Sequence, residues 1–346
     1  MERFTIALVA VAAFAWGAPG ALAQCNNATL NVPRHSMAVC QSTDDVFAIG
    51  GTGAVGVSAT VEWLSAVSGI WRQVDDFVEP RTSAAATYVN GVIYVLGGRD
   101  SLGVLKSDVQ WSHAGPRGKY ICNLSSRPEP ANLHWNPYVC SLPSPREEHT
   151  TVAVGGKIYV MGGVVDEGGG HRILSENFVI DTCTGRCWFA SPMPIAVYGH
   201  AAAELCGRIY VFGGAPDFSS TTDKIQCYDP AHDAWCVLTV TLPAPYDHGV
   251  QRLEALSTGC SIVLSGGLLG HSNACQSPSD AIFQFSPYSD PCSTGGKFIS
   301  LGSLCIARDN HGSAILPPGS VGCAAGLIAF GGCNGNVVDA STECLP

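Results

Sequence analysis

Apolar positions in this chain come in short runs, with almost no helical stripe after the first two dozen residues. Val46-Phe47-Ala48-Ile49, Val92-Ile93-Tyr94-Val95-Leu96, Ile158-Tyr159-Val160-Met161, Ile209-Tyr210-Val211-Phe212, Ile262-Val263-Leu264-Ser265 and Leu327-Ile328-Ala329-Phe330 each run directly into Gly-Gly. Such runs predict short apolar strands, Arg208–Phe212 being an alternating one. Two residues without Cβ then let the backbone turn hard and approach a neighbour closely. The first glycines stand at 50, 97, 162, 213, 266 and 331, so the steps are 47, 65, 51, 53 and 65. Downstream of the fourth doublet, Tyr228-Asp229-Pro230 and Trp235 flank a turn and predict an antiparallel hairpin. Trp63 and Trp71, Phe178 and Trp188, and Phe285 and Phe298 are the matching aromatics of other units.

One unit of about four short strands cannot bury its apolar faces alone, and repetition at a period near 50 residues solves that problem. On these six Gly-Gly strands the chain resembles the kelch-repeat family over nearly all of its length. The resemblance implies an all-β fold, a six-bladed propeller of four-stranded antiparallel blades. The sixth unit stops at Ser341-Thr342-Glu343-Cys344, where its third strand belongs, and residues 25–33 precede the first inner strand. The N-terminal segment is therefore expected to supply the outer strand of the last blade and close the ring, which removes exposed sheet edges. Cys25 and Cys344 would then bridge the seam, with Cys25–Cys40 as the competing pair.

Counting back 13 from the first glycine marks the start of each inner strand at Met37, Ala84, His149 and His200. His248 and His311, at 18 and 20 back, are read as the corresponding positions of the fifth and sixth units. Arg34, Arg81, Arg146 and Arg308 stand three before this position, and Arg-x-x-His resembles the kelch consensus. The long second step locates an insertion after an outer strand at Lys119–Leu124, carrying Trp135 and Tyr138. This insertion, the Arg/His ring and the loops after each Gly-Gly, notably 164–174 and 268–280, are expected to share one face.

A net charge of −10 excludes nucleic acid and anionic membrane surfaces as partners. Arg3, the apolar run Ile6–Trp16 and Ala21-Leu22-Ala23 read as a signal peptide over residues 1–23, a retained anchor being the alternative. The remaining residues 24–346 are expected to form one propeller, a secreted monomer with no membrane span. Sixteen cysteines fit an oxidising compartment. Cys227 and Cys236, Cys183 and Cys187, and Cys122 and Cys140 are spaced as staples of hairpins or of the insertion. Asn27 and Asn123 begin glycosylation sequons.

Candidate chemistry gathers on the predicted face. Histidines 149, 200, 248 and 311 could converge on a channel and hold copper or zinc, or could hydrogen-bond adjacent backbone as repeat residues. Tyr198-Gly199-His200 and Tyr246-Asp247-His248 resemble the ligands of galactose oxidase, a kelch-related copper enzyme, without its tyrosine-cysteine pair. The arginines could fork onto carboxylates of an acidic peptide, as family members do, or serve their own backbone. Trp135 and Tyr138 could stack on a sugar, anchor a protein, or pin their loop. Glu147 and Glu148 lie at the rim, whereas no phosphate loop, dinucleotide fingerprint, Gly-x-Ser-x-Gly elbow or His-Glu-x-x-His site occurs. Because the candidate catalytic residues nearly all coincide with repeat positions, the expected function is binding of a protein or glycan, with no cofactor and no metal. The alternative is an extracellular carbohydrate-active enzyme, similar to N-acetylneuraminate epimerase or to the copper oxidase.

Overall fold

The structure, a computed structural model, describes residues 24–42, 44–114, 133–270, 276–317, 326–335 and 337–344, with residues 24–28 as backbone alone. Six antiparallel four-stranded sheets follow one another along the chain. Blade 1 runs Ala38–Gln41, Asp45–Ile49, Val61–Ser65 and Trp71–Gln73 from inside to outside. Blades 2 to 5 repeat it from Ala85–Val89, Thr150–Val154, Ala201–Leu205 and Glu254–Ser257.

Blade 6 closes the ring as the sequence predicts. Gly312–Ile315, Leu327–Phe330 and Ser341–Cys344 are joined on the outside by Gln24–Thr29, with Gln24 opposite Cys344 and Cys25 opposite Glu343. Asn31 and Val32, just after this strand, donate backbone N–H groups to the Glu62 carboxylate of blade 1 at 2.6 and 3.0 Å. The seam is thus clasped by strand pairing on one side and a buried acid on the other.

Alternation along each second strand explains why blades stack. In blade 1, Val46 and Ala48 enter a core with blade 6, whereas Phe47 and Ile49 enter a core with blade 2. Ile93 and Val95 of blade 2 face blade 1, and Tyr94 and Leu96 face blade 3. The pattern continues around the ring until Ile328 and Phe330 of blade 6 meet blade 1 again. Gly97 shows why the doublet is needed: at φ +59° a Cβ would lie 2.7 Å from the Arg146 carbonyl of the next blade. The N–H of Gly98 donates to that same carbonyl at 2.7 Å. Equivalent bonds join Gly51 to Arg81, Gly163 to Val197, Gly214 to Val250, Gly267 to Arg308 and, across the seam, Gly332 to Arg34.

Two expectations are corrected here. The outer strand of blade 2 is Asn136–Pro137, paired with Gln110 and Trp111, so Trp135 and Tyr138 flank a strand and do not project from an insertion. Residues 119–124 lie outside the described residues. The disulfides run between blades: Cys140 bonds Cys187, and Cys236 bonds Cys292, with sequence separations of 47 and 56, about one repeat. Cys183 and Cys227 are reduced, so the Cys183–Cys187, Cys227–Cys236 and Cys122–Cys140 staples do not form here. Cys140 and Cys187 pack on the core between blades 2 and 3, and Cys236 packs on the core between blades 4 and 5. Cys344 is also disulfide-bonded, and its predicted partner Cys25 lies outside the described side chains, as do Cys122, Asn27 and Asn123.

Candidate functional site

The four consensus arginines are buried to within 1% and point into the wall of the ring. Each donates to the first-glycine carbonyl of its own blade: Arg34 to Gly50 at 3.0 Å, Arg81 to Gly97 at 2.7 Å, Arg146 to Gly162 at 3.3 Å and Arg308 to Gly331 at 2.7 Å. Each also meets a carboxylate, Glu62, Asp108 and Glu79, Glu176, or Glu343 and Asp339 respectively. All of them therefore spend their forks on their own blades, leaving none for an external ligand. Blade 5 has no arginine here, and the buried Tyr246 hydroxyl donates to the Gly266 carbonyl instead, at 2.5 Å. Sequence reasoning missed this substitution, because a phenol replaces a guanidinium from a different backbone position.

The histidine ring is smaller than expected. His149, His200 and His311 are buried, each with its imidazole Cε1 against the position a Cβ would take on Gly97, Gly162 or Gly266 of the preceding blade. His200 Nε2 is 2.8 Å from Thr150 Oγ1 and His311 Nε2 is 3.1 Å from Ser265 Oγ, both hydroxyls belonging to the preceding blade. Burial pushes their basicity down, to about 3 for His149 and His311 and about 4 for His200, so all three are neutral wedges. His248 is exposed in a single helical turn, Tyr246–His248, and the true fifth position is Leu253. A Cβ on Gly267 would lie 2.8 Å from Leu253 Cβ, as one on Gly163 would from His149 Cβ. With Tyr246 bonded to carbonyls and His248 at the surface, the Tyr-Gly-His and Tyr-Asp-His segments do not assemble a copper site.

Trp135 packs edge-on against Phe77 at 4.8 Å, and Tyr138 against Tyr94 at 5.6 Å. They lie in the cores that blade 2 shares with blades 1 and 3, so both pin the outer strand to its neighbours.

The expected face is nevertheless real as geometry. The segment entering each inner strand pairs with the segment leaving the Gly-Gly: His35 with Thr52, Arg81 with Asp100, Glu147 with Val164, Tyr198 with Ala215, Val250 with Leu269 and Asp309 with Cys333. At its centre the residues Ser36, Ser83, Glu148, Gly199, Arg252 and Asn310 all adopt positive φ, between 48 and 61°. Their backbones form a closed ring, each N–H donating to the carbonyl of the one before, with Ser36 donating to Asn310 at 2.9 Å. The sequence signal was available as the residue preceding each inner-strand position. Glu148 and Arg252 pair across the missing side chain of Gly199 at 2.8 Å. Below the ring, a cavity of about 330 Å³ is lined by the inner strands and includes Glu254, whose carboxyl burial pushes up to about 8.

Outside the ring, loops of three blades are tied into one surface. Arg99 of blade 2 donates to Glu147 Oε1 at 2.6 and 2.9 Å and to Asp166 at 3.1 Å, both on blade 3. Asp166 holds His171 at 2.8 Å, and the His171 ring stands 5.9 Å from Phe218 of blade 4, itself 5.6 Å from Tyr198. Exposed apolar side chains sit on the same loops: Leu102 at 86%, Val104 at 53% and Phe218 at 47%.

Kelch motif models match residues 80–111, 145–194 and 196–241. The chain belongs to the kelch-repeat β-propeller family. It is similar to Kelch-like protein 35 of Mus musculus, 32% identical over 179 residues, which is 51% of this chain and 29% of that protein. Kelch-like protein 25 of Homo sapiens is 33% identical over 138 residues, 38% of this chain and 22% of that protein. The chain thus spans less than a third of these relatives. Among solved structures, that of YjhT superposes with a TM-score of 0.68 at 18% identity, over 91% of this chain and 95% of its own, which shows the shared fold.

Proposed function

We propose that the chain is an exported protein-binding module that docks its partner on the loops of blades 2 to 4. The observation that carries this reading is the set of exposed apolar side chains, Leu102, Val104 and Phe218, on loops held in place by the Arg99–Glu147–Asp166–His171 network. Apolar anchors on a pre-ordered, polar-rimmed surface give affinity without the cost of ordering loops on binding. A glycan would call for polar groups at the surface, and the consensus arginines and Trp135 are occupied within the wall. Export is supported by the leader-like residues 1–23 and by disulfides between blades.

The test compares three baits against extract of the cells that express the protein. A discrete partner captured by the wild type should be lost, by at least about tenfold, with Leu102→Asp combined with Phe218→Ala, a change expected of anchor residues. Val67→Asp, in a hairpin turn on the opposite face, should leave capture intact. Equal capture by all three would reject the docking surface. Expressed in a eukaryotic secretory cell, the chain should reach the medium beginning near Gln24. Retention inside the cell with an intact N-terminus would reject export.

A further inference from the structure

Cys227 lies at the centre of blade 4 with Tyr210 opposite on one strand and Cys236 opposite on the next. Cys236 is already bonded to Cys292, which sits in the exposed turn Pro291–Thr294 of blade 5. The three sulfurs all lie within 4.8 Å of one another, and Cys227 is reduced. Directly opposed positions of antiparallel strands stand about 4.5–5.5 Å apart at Cα, inside the range a disulfide spans.

We propose that Cys227 is an exchange thiol, and that Cys292 is the thiol-modification site it uncovers. The Cys227 thiolate attacks Cys236 Sγ, the Cys227–Cys236 bond forms, and the Cys236–Cys292 bond breaks with its electron pair leaving on Cys292 Sγ. The proton lost by Cys227 ends on Cys292, so one thiol and one disulfide are present before and after, and no oxidant or reductant is consumed. Geometry gives the step its direction of consequence. The covalent tie moves from between blades 4 and 5 to within blade 4, and the free thiol moves from a buried position to a solvent-exposed one. An exposed Cys292 thiolate can then attack a small-molecule disulfide, forming a mixed disulfide and releasing one small thiol.

Burial pushes the Cys227 thiol up to about 11, against the opposing pull of Arg208 and Tyr210 and with a small push from Asp229. Asp290 opens the turn that carries Cys292. Since only the thiolate attacks, exchange is slow at neutral pH and quickens as pH rises.

The experiment uses the full, unreduced protein held at pH 7 and at pH 9, labelled without denaturant by a maleimide, quenched in acid and mapped. Cleavage before Asp229 and Asp233 separates Cys227 from Cys236, so both pairings are read in one digest. The expected result is a Cys227–Cys236 linked peptide and label on Cys292, both rising with pH. Cys227→Ser should lower Cys292 labelling by about tenfold or more, because the exposed thiols Cys183, Cys206 and Cys260 remain as the only competitors among the described residues. Two results overturn the proposal: Cys236–Cys292 as the sole pairing at both pH values, or Cys292 labelled equally fast in Cys227→Ser. The wild-type map decides the pairing even if that variant fails to fold.

Discussion

The two faces of the ring are built on opposite principles. On one, blades 2, 3 and 4 turn from first to second strand in two residues, Asn90-Gly91, Gly155-Gly156 and Cys206-Gly207, all with positive φ. These are the tight turns that match strand twist, and they leave little to recognise. On the other, the segments that leave the Gly-Gly doublets run longer, and those of blades 2, 3 and 4 are linked across blades by Arg99 to Asp166 and by His171 to Phe218. The difference shows that the repeat consensus serves the scaffold beneath the loops, and the proposed docking surface is made of residues that the consensus does not specify.

That separation can be broken experimentally, beginning with the scaffold under the loop face. Arg34→Ala would leave Glu62, fully buried at the seam, without its guanidinium. Removing one partner of a buried pair costs about 3–5 kcal/mol, and urea unfolding should show a loss of that size. A loss below about 1 kcal/mol would mean the pair is dispensable to closure.

Glycines of the two faces should differ in the same assay. In Gly98→Ala the new Cβ would stand 2.7 Å from Ala84 Cβ and from the Thr82 carbonyl, at φ +88°. In Gly91→Ala it would meet nothing within 4 Å, at φ +86°. The far-face change should cost about 1–2 kcal/mol of backbone strain alone, and the near-face change about 3 kcal/mol or more because a clash is added. Equal costs would remove the distinction.

The buried titratable groups give opposite pH slopes. His149, His200 and His311 titrate near 3, 4 and 3 when folded, below the ordinary 6.5. As pH falls below 6.5 the unfolded chain takes up protons the folded chain refuses, so stability is lost from pH 6.5 down towards 3. Glu254 titrates near 8 when folded, above the ordinary 4.5. The folded state holds its proton where the unfolded state does not, so stability falls as pH rises from 4.5 to 8, by at most about 1.4 kcal/mol per pH unit. Glu254→Gln should flatten the curve over that window and leave the acid limb unchanged. An unchanged slope between pH 4.5 and 8 would show that Glu254 is ionised in its cavity.

The sequence made the blades, their order and the closing strand legible because those depend on local requirements repeated in register: an apolar strand, then two residues without Cβ. It misled where residue type was followed instead of position. The fixed offset of 13 from Gly266 points to Leu253, yet the nearby His248 was taken, although a hairpin wedge needs only a side chain of suitable bulk. Tyr246 replaces an arginine from a different backbone position within blade 5, and the disulfides joining Cys140 to Cys187 and Cys236 to Cys292 depend on contacts between blades, so neither was found from local spacing. The proposed docking surface was legible only as a face. Its members, Arg99, His171 and Phe218, come from three loops and are brought near one another only where blades 2, 3 and 4 stack.

The most direct test of recognition by the loop face is site-specific photo-crosslinking in extract of the expressing cells, with the reactive residue placed at Leu102 or Phe218 and, as the opposing pair, at Val67 or Ile70. The account predicts adducts to one discrete protein from positions 102 and 218 and none to it from 67 and 70. The same adduct from both faces, or from 67 and 70 alone, would contradict it.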